Sequence, residues 1–189
     1  MRYADWNNIR SFVQMQLEQA IKLIESPMFS NTSRMDWADL GCGEGLFTNA
    51  LSNLLVPGST IYSVDKNIQK FKEAQAEGII IKKIEADFTT DPINITNLEG
   101  ILMANSLHFV LDKKGLIKNS RLYFKHEENF LIVEYDSDIP NPWVPYPISF
   151  QSLEELYGSL GYQSIKKIYE QPSRYNQANI YSAEVKRYL

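Results

Sequence analysis

Between residues 36 and 48 the chain passes from an apolar run into a bend that only glycine can make, and from the bend into an amphipathic segment. The run reads Trp37-Ala38-Asp39-Leu40-Gly41-Cys42-Gly43-Glu44-Gly45, with three glycines on alternate positions. Glycine reaches backbone conformations closed to other residues and lets amide groups approach a bound molecule. A strand, a bend and a helix are therefore expected in that order. The same alternation continues downstream: strands near 35–40, 60–64, 79–84 and 100–104, with helices near 46–55 and 67–77 between them. Breakers stand at Pro57-Gly58, Gly78, Asp91-Pro92 and Gly115. Strand and helix in alternation imply a parallel sheet with crossover connections.

Residues 6 to 25 place Ile9, Phe12, Val13, Leu17, Ala20, Ile21 and Ile24 at close to helical spacing, and Pro27 marks the exit. Beyond a helix near 113–123, Phe130-Leu131-Ile132-Val133-Glu134 reads as a fifth buried strand. Pro140, Pro142, Pro145 and Pro147 then predict an extended surface connection. Leu153, Leu156, Tyr157 and Leu160 form a helical stripe closed by Gly161, and β-rich runs follow at 162–170 and 178–187. The reading is one domain over 1–189, with 1–34 supplying an N-terminal helix and candidate lid and 35–189 a binding core.

The chemistry around the glycines narrows the ligand. The third glycine of a dinucleotide fingerprint would fall at Leu46, and no lysine of a phosphate-cradling loop follows Gly45. Asp39, two residues before the first glycine, suits a cationic ammonium better than a pyrophosphate. Asp39-x-Gly41-x-Gly43-x-Gly45 resembles motif I of the class I S-adenosylmethionine-dependent methyltransferases, and later strand ends extend the resemblance over roughly residues 36 to 186. It implies an α/β Rossmann-like fold, a seven-stranded, mostly parallel sheet of order 3-2-1-4-5-7-6, and S-adenosyl-L-methionine as cofactor.

Residue by residue, the resemblance implies a cofactor site of Asp39, Gly41, Cys42, Gly43, Gly45, Asp65, Lys66, Asp87, Phe88, Ala104 and Asn105. Asp65 lies twenty positions after Gly45, where a carboxylate meets ribose hydroxyls, and it also reads as a helix cap. Asp87 would bond the adenine amine and Phe88 would stack on the base, against the plainer reading of a turn Asp and a core Phe. Ala104-Asn105-Ser106-Leu107-His108 resembles motif IV of small-molecule members, departing from it at Gly100, where an Asp often stands, and at Phe109, where a second His does. The Asn/Asp-Pro-Pro-Tyr/Phe signature of amino-directed nucleic-acid members is absent.

Methyl transfer to oxygen or nitrogen benefits from a base, and His108 is the candidate by residue type and position, with a packed junction histidine as the alternative. His126 reads as surface. Tyr135 follows the fifth strand as a second catalytic candidate; Tyr3, Trp6, Trp143 and Tyr146 could form an aromatic lid, and Arg174 could pair an acceptor carboxylate. The expected activity is methylation of O, N or C on a small molecule. Competing readings are a protein- or RNA-directed methyltransferase, a non-catalytic cofactor-binding module, and a nicotinamide oxidoreductase. A net charge of −4 disfavours long nucleic acid. The lone cysteine, Cys42, gives no internal disulfide, no Cys/His cluster has metal spacing, and no signal or membrane segment is read, so a cytoplasmic protein is the default expectation.

Overall fold

A computed structural model describes residues 17–30, 33–72, 76–173 and 178–188. Seven strands form one sheet in the order β3-β2-β1-β4-β5-β7-β6, the order the resemblance implies. The strands are β1 (Asp36–Leu40), β2 (Thr60–Asp65), β3 (Ile80–Glu85), β4 (Gly100–Ala104), β5 (Glu128–Tyr135), β6 (Ser164–Pro172) and β7 (Asn179–Arg187). The first five run parallel; β7 enters antiparallel beside β5 and carries β6 as its hairpin partner. The helices are α1 (Leu17–Ile24), α2 (Leu46–Ser52), α3 (Lys113–Ser120) and α4 (Phe150–Ser159). Among the described residues no helix is long and apolar enough to cross a membrane.

Because successive side chains of a strand point to opposite faces, one sheet feeds two cores. Ala38, Leu40, Ile101, Met103, Phe130, Ile132 and Tyr181 pack with Ile117 of α3 and with Leu153 and Tyr157 of α4. Trp37, Ile61, Leu102, Leu131 and Val133 pack with Leu23 of α1 and Leu51 of α2. The central strands are covered on both faces, and β4, buried at every residue, reads as an unbroken apolar run, while β1 and β2 carry the buried polar residues Asp39 and Ser63. Gly100 opens that strand because the indole of Trp37 occupies the place its Cβ would need.

The edges differ. β3 and β6 both carry Ile-Lys-Lys-Ile, at 81–84 and 165–168; Lys82, Lys83 and Lys166 are exposed, while Lys167 lies over the Phe150 ring and pairs with Asp136 and Glu170. Both lysine pairs lie in mid-strand, and Lys113 and Lys114 open a helix.

Among the described residues of the helix expected over 67–77, only one turn is helical. A single 3-10 turn, Ile68–Lys70, is followed by Phe71 in an extended conformation, ψ 125. Lys72 gives its backbone N–H to the Glu44 carbonyl at 3.0 Å instead of to the turn behind it, and residues 73–75 lie outside the described part. Of the N-terminal helix only Leu17–Ile24 is described, followed by a 3-10 turn at Pro27–Ser30.

Candidate cofactor and acceptor site

The glycine bend leaves the carboxyl end of β1 with φ values of 80, 54 and 89 at Gly41, Gly43 and Gly45. Two amides tie it to the neighbouring strand, Gly41 and Cys42 both donating to the Val64 carbonyl at 2.8 and 3.1 Å. Gly43 donates to Asp65 Oδ2 at 2.9 Å, and Asn67 donates to Asp65 Oδ1 at 2.7 Å. Each glycine is present for a different reason. A Cβ on Gly41 would lie 2.6 Å from Ser106 Cβ and 3.1 Å from the Phe88 ring; one on Gly45 would lie 2.7 Å from the Phe71 ring. A Cβ on Gly43 would meet nothing within 4 Å. The space open to a ligand is therefore at Gly43, while Gly41 and Gly45 make room for the protein's own side chains.

Asp39 is 1% exposed, on the face of β1 that packs under α2. Its Oδ2 accepts from Thr48 Oγ1 at 2.6 Å, and Thr48 lies 3.3 Å from Ser63 Oγ. Its Oδ1 has no partner. Burial pushes the carboxyl up to about 7, the Thr48 bond opposes that shift, and the negative charge of Asp65 adds to it. Burial likewise pushes the Cys42 thiol well up, helped by the charges of Asp39 and Asp65, so this sulfur is not a ready nucleophile.

Asp65 engages each oxygen once with backbone, which leaves a carboxylate further acceptor capacity toward a diol. Asp87 does what a turn aspartate does: Oδ1 accepts from Thr89 N at 3.0 Å and Thr89 Oγ1 at 2.6 Å. Those bonds lower its carboxyl, with Lys66 adding a smaller effect from an exposed position. Phe88 packs against Gly41 and the core rather than standing free at the surface. At the end of β4, Ala104 is 8% exposed and Asn105 is held at φ 53, donating its N–H to the Val133 carbonyl. The buried Asn105 Oδ1 has no partner.

His108 sits on a 3-10 turn beyond Asn105 and is 3% exposed. Its Nδ1 lies 2.6 Å from Oε2 of Glu134, and its backbone N–H donates to Oε1 of the same residue at 3.1 Å. Glu134 is fully buried in β5. Sequence reading missed this partner; its signal was one acid closing an otherwise apolar strand. The Phe109 ring, 55% exposed, lies 4.3 Å from the imidazole, and the Tyr135 ring 6.2 Å.

Tyr146 is fastened beside this turn: its N–H donates to the His108 carbonyl, and Lys113 Nζ donates to the carbonyls of Tyr146 and Val110. Trp143 is 83% exposed on the turn shaped by Asn141, whose side chain accepts from Trp143 N and Val144 N. Tyr3, Trp6 and Arg174 lie outside the described residues. An open groove of about 660 Å³ lies beyond β5, between Asp136, Asp138, Phe150 and Lys167. Its two acids are spent on the start of α4, Asp136 accepting from Phe150 N and Asp138 from Ser149 N and Oγ. No group of three or more metal-ligating side chains occurs among the described residues.

No protein-family model matches this sequence, and no curated protein matches it. Solved structures do resemble it. The 1,6-didemethyltoxoflavin-N1-methyltransferase of Burkholderia thailandensis, crystallised with its acceptor and S-adenosylhomocysteine, is 13% identical with TM-score 0.69 over 99% of this chain and 84% of its own. Magnesium protoporphyrin IX methyltransferase of Synechocystis PCC 6803, with bound cofactor, is 13% identical with TM-score 0.66 over 99% and 85%. A methyltransferase of Aquifex aeolicus is 14% identical with TM-score 0.59 over 92% and 99%. The fold is that of the class I S-adenosylmethionine-dependent methyltransferases. At these identities the likeness is one of fold, and what the site binds is argued from its own residues.

Proposed function

We propose that this protein binds S-adenosyl-L-methionine at the glycine bend and transfers its methyl group to a small molecule. The observation that carries the reading is a pair of buried, unpartnered oxygens, Asp39 Oδ1 and Asn105 Oδ1, at the carboxyl ends of adjacent parallel strands. Buried polar atoms are nearly always satisfied, and such oxygens suit the ammonium of an amino-acid end. The open space at Gly43 would admit the chain of that ligand, Asp65 would accept from ribose hydroxyls, and Ala104 would line the wall.

The cofactor supplies a methyl group already activated as an electrophile, whose carbon–sulfur electron pair returns to sulfur as the acceptor's lone pair forms the new bond. The chain's own tasks are then to hold, to orient and to accept a proton. In this reading His108 is the proton acceptor, while Phe109, Tyr135, Tyr146 and Trp143 offer apolar contact to the acceptor molecule. Nothing in the arrangement requires a long polymer substrate.

Calorimetry with S-adenosylmethionine on the parent, Gly43→Val and Asp65→Ala proteins tests the cofactor half. Binding by the parent and at least tenfold weakening in both folded variants is expected. Equal affinity in all three would remove the reading.

A further inference from the structure

We infer that the outer face of α3 and α4 is a self-association surface, on which a second copy of this chain sits about a two-fold axis running parallel to the two helices. This surface stands apart from the cofactor and acceptor site, so it holds whether or not the methyltransferase reading does. The two helices cover the same core and lie side by side, because Arg121, in the turn that closes α3, donates to the Leu160 carbonyl just beyond α4 at 2.7 Å. Ile117 of α3 and Leu153 and Tyr157 of α4 point inward. Away from that core, α3 and its flanks present Leu111, Lys114, Lys118 and Leu122 at one-turn intervals, all exposed. The outer side of α4 presents Glu154, Glu155 and Gly158, exposed as well.

A solitary chain gains nothing from three features of this face. Leu111 and Leu122 are 76% and 81% exposed, one at each end of α3. Lys114, Lys118 and Glu154 form no ion pair among the described residues, whereas the neighbouring Arg121 and Lys125 lean on Glu128 and Glu99. Gly158 stands inside α4, where glycine weakens a helix, yet its φ is not left-handed and a Cβ there would meet nothing within 4 Å. Neither backbone conformation nor internal crowding asks for glycine at 158. Close approach of another molecule does.

The charges choose the occupant and its orientation. Along this face α3 is basic and α4 acidic, so a single surface carries two complementary stripes. An axis parallel to the helices sets α3 of each copy against α4 of the other, and Lys114 and Lys118 meet Glu154 and Glu155 twice over. An axis across the helices would instead set lysine on lysine. Rotation about the first axis preserves height along the helices, and Arg121 stands level with Leu160, so Leu122 of one copy arrives beside Gly158 of the other. The same operation leaves both glycine bends opening on one side of the pair. Lysines within β3 and β6 disfavour the alternative of copies joined margin to margin.

Sedimentation equilibrium on the whole chain tests this. The parent should form a dimer at low salt that loosens at least tenfold as sodium chloride rises from about 0.05 M to about 0.5 M. Lys114→Glu with Lys118→Glu, and Glu154→Lys with Glu155→Lys, should each be monomeric, with circular dichroism showing that both remain folded. Mixed in equal amounts the two should form a heterodimer, and the chain carrying all four reversals should dimerise as the parent does. Gly158→Gln should weaken association at least tenfold while raising the melting temperature of the monomer, which a glycine needed for the fold would not do. A parent that stays monomeric up to about 0.5 mM would overturn the inference. So would reversal variants that still dimerise, a mixture that stays monomeric, or unchanged association in Gly158→Gln.

Discussion

Phe71 lies over Gly45 so closely that a Cβ on the glycine would fall 2.7 Å from its ring, while Lys72 bonds the Glu44 carbonyl beside it. The connection leaving β2 thereby clasps the start of α2. Gly45→Ala should therefore strain φ 89 and displace the ring, costing about 2–4 kcal/mol when the left-handed penalty and overpacking are summed. Gly43→Ala has only the strain of φ 54 to bear, about 1–2 kcal/mol, with free space around it. Urea unfolding of the two variants should rank them in that order.

Asp39 predicts a pH signature. Its carboxyl titrates near 3.8 in the unfolded chain and at about 7 when folded, so the folded state holds the extra proton between those values. Relative stability from this group is present below pH 4 and lost as pH rises through 7, by about 4 kcal/mol as an upper limit. Asp39→Asn should gain stability relative to the parent between pH 4 and pH 8, read from paired melting curves. An ammonium ligand needs the ionised form, so S-adenosylmethionine affinity should rise with pH through 7 and binding should release a proton, measured by calorimetry in buffers of different ionisation enthalpy.

Gly100 is a packing position. With the Trp37 indole filling the place of its missing side chain, Gly100→Ala should push on two central strands and cost about 1–3 kcal/mol. Gly100→Asp, the residue common in the resembling family, should cost more, since it would bury a charge there. Thermal unfolding followed through tryptophan fluorescence reads both.

At the opposite end of β5, Glu128 is 3% exposed and accepts from Tyr162 Oη at 2.6 Å and from Arg187, with Arg121 Nε 3.3 Å away. Glu128→Ala strands the tyrosine hydroxyl and two cations. Both guanidiniums are nearly one-third exposed, so water recovers part of the loss and a cost of about 2–4 kcal/mol is expected. Urea midpoints with an unchanged slope would check it.

The apolar runs of β4 and β5, with the shorter ones of β1 and β2 between glycine and proline breakers, made the parallel sheet legible, because strands covered on both faces are rich in apolar residues. The antiparallel insertion of β7 had no local signature and came from family resemblance. The helix read after β2 is interrupted at Phe71 and Lys72 for a physical reason: local preference favoured a further turn, but these two residues contact the glycine loop instead. In the site, Asp39 and Asn105 were legible by position, while Glu134 was not, since its partner His108 stands 26 residues earlier and only the β4–β5 pairing brings them together.

The Ile-Lys-Lys-Ile segments on β3 and β6 terminate the sheet on both sides. An open sheet invites a foreign strand at each margin. Cations in mid-strand make that docking repulsive, above all between two copies of this chain meeting margin to margin. Solubility here is thus written into the outermost strands, where loss of the lysines would convert a finished sheet into a template for fibres.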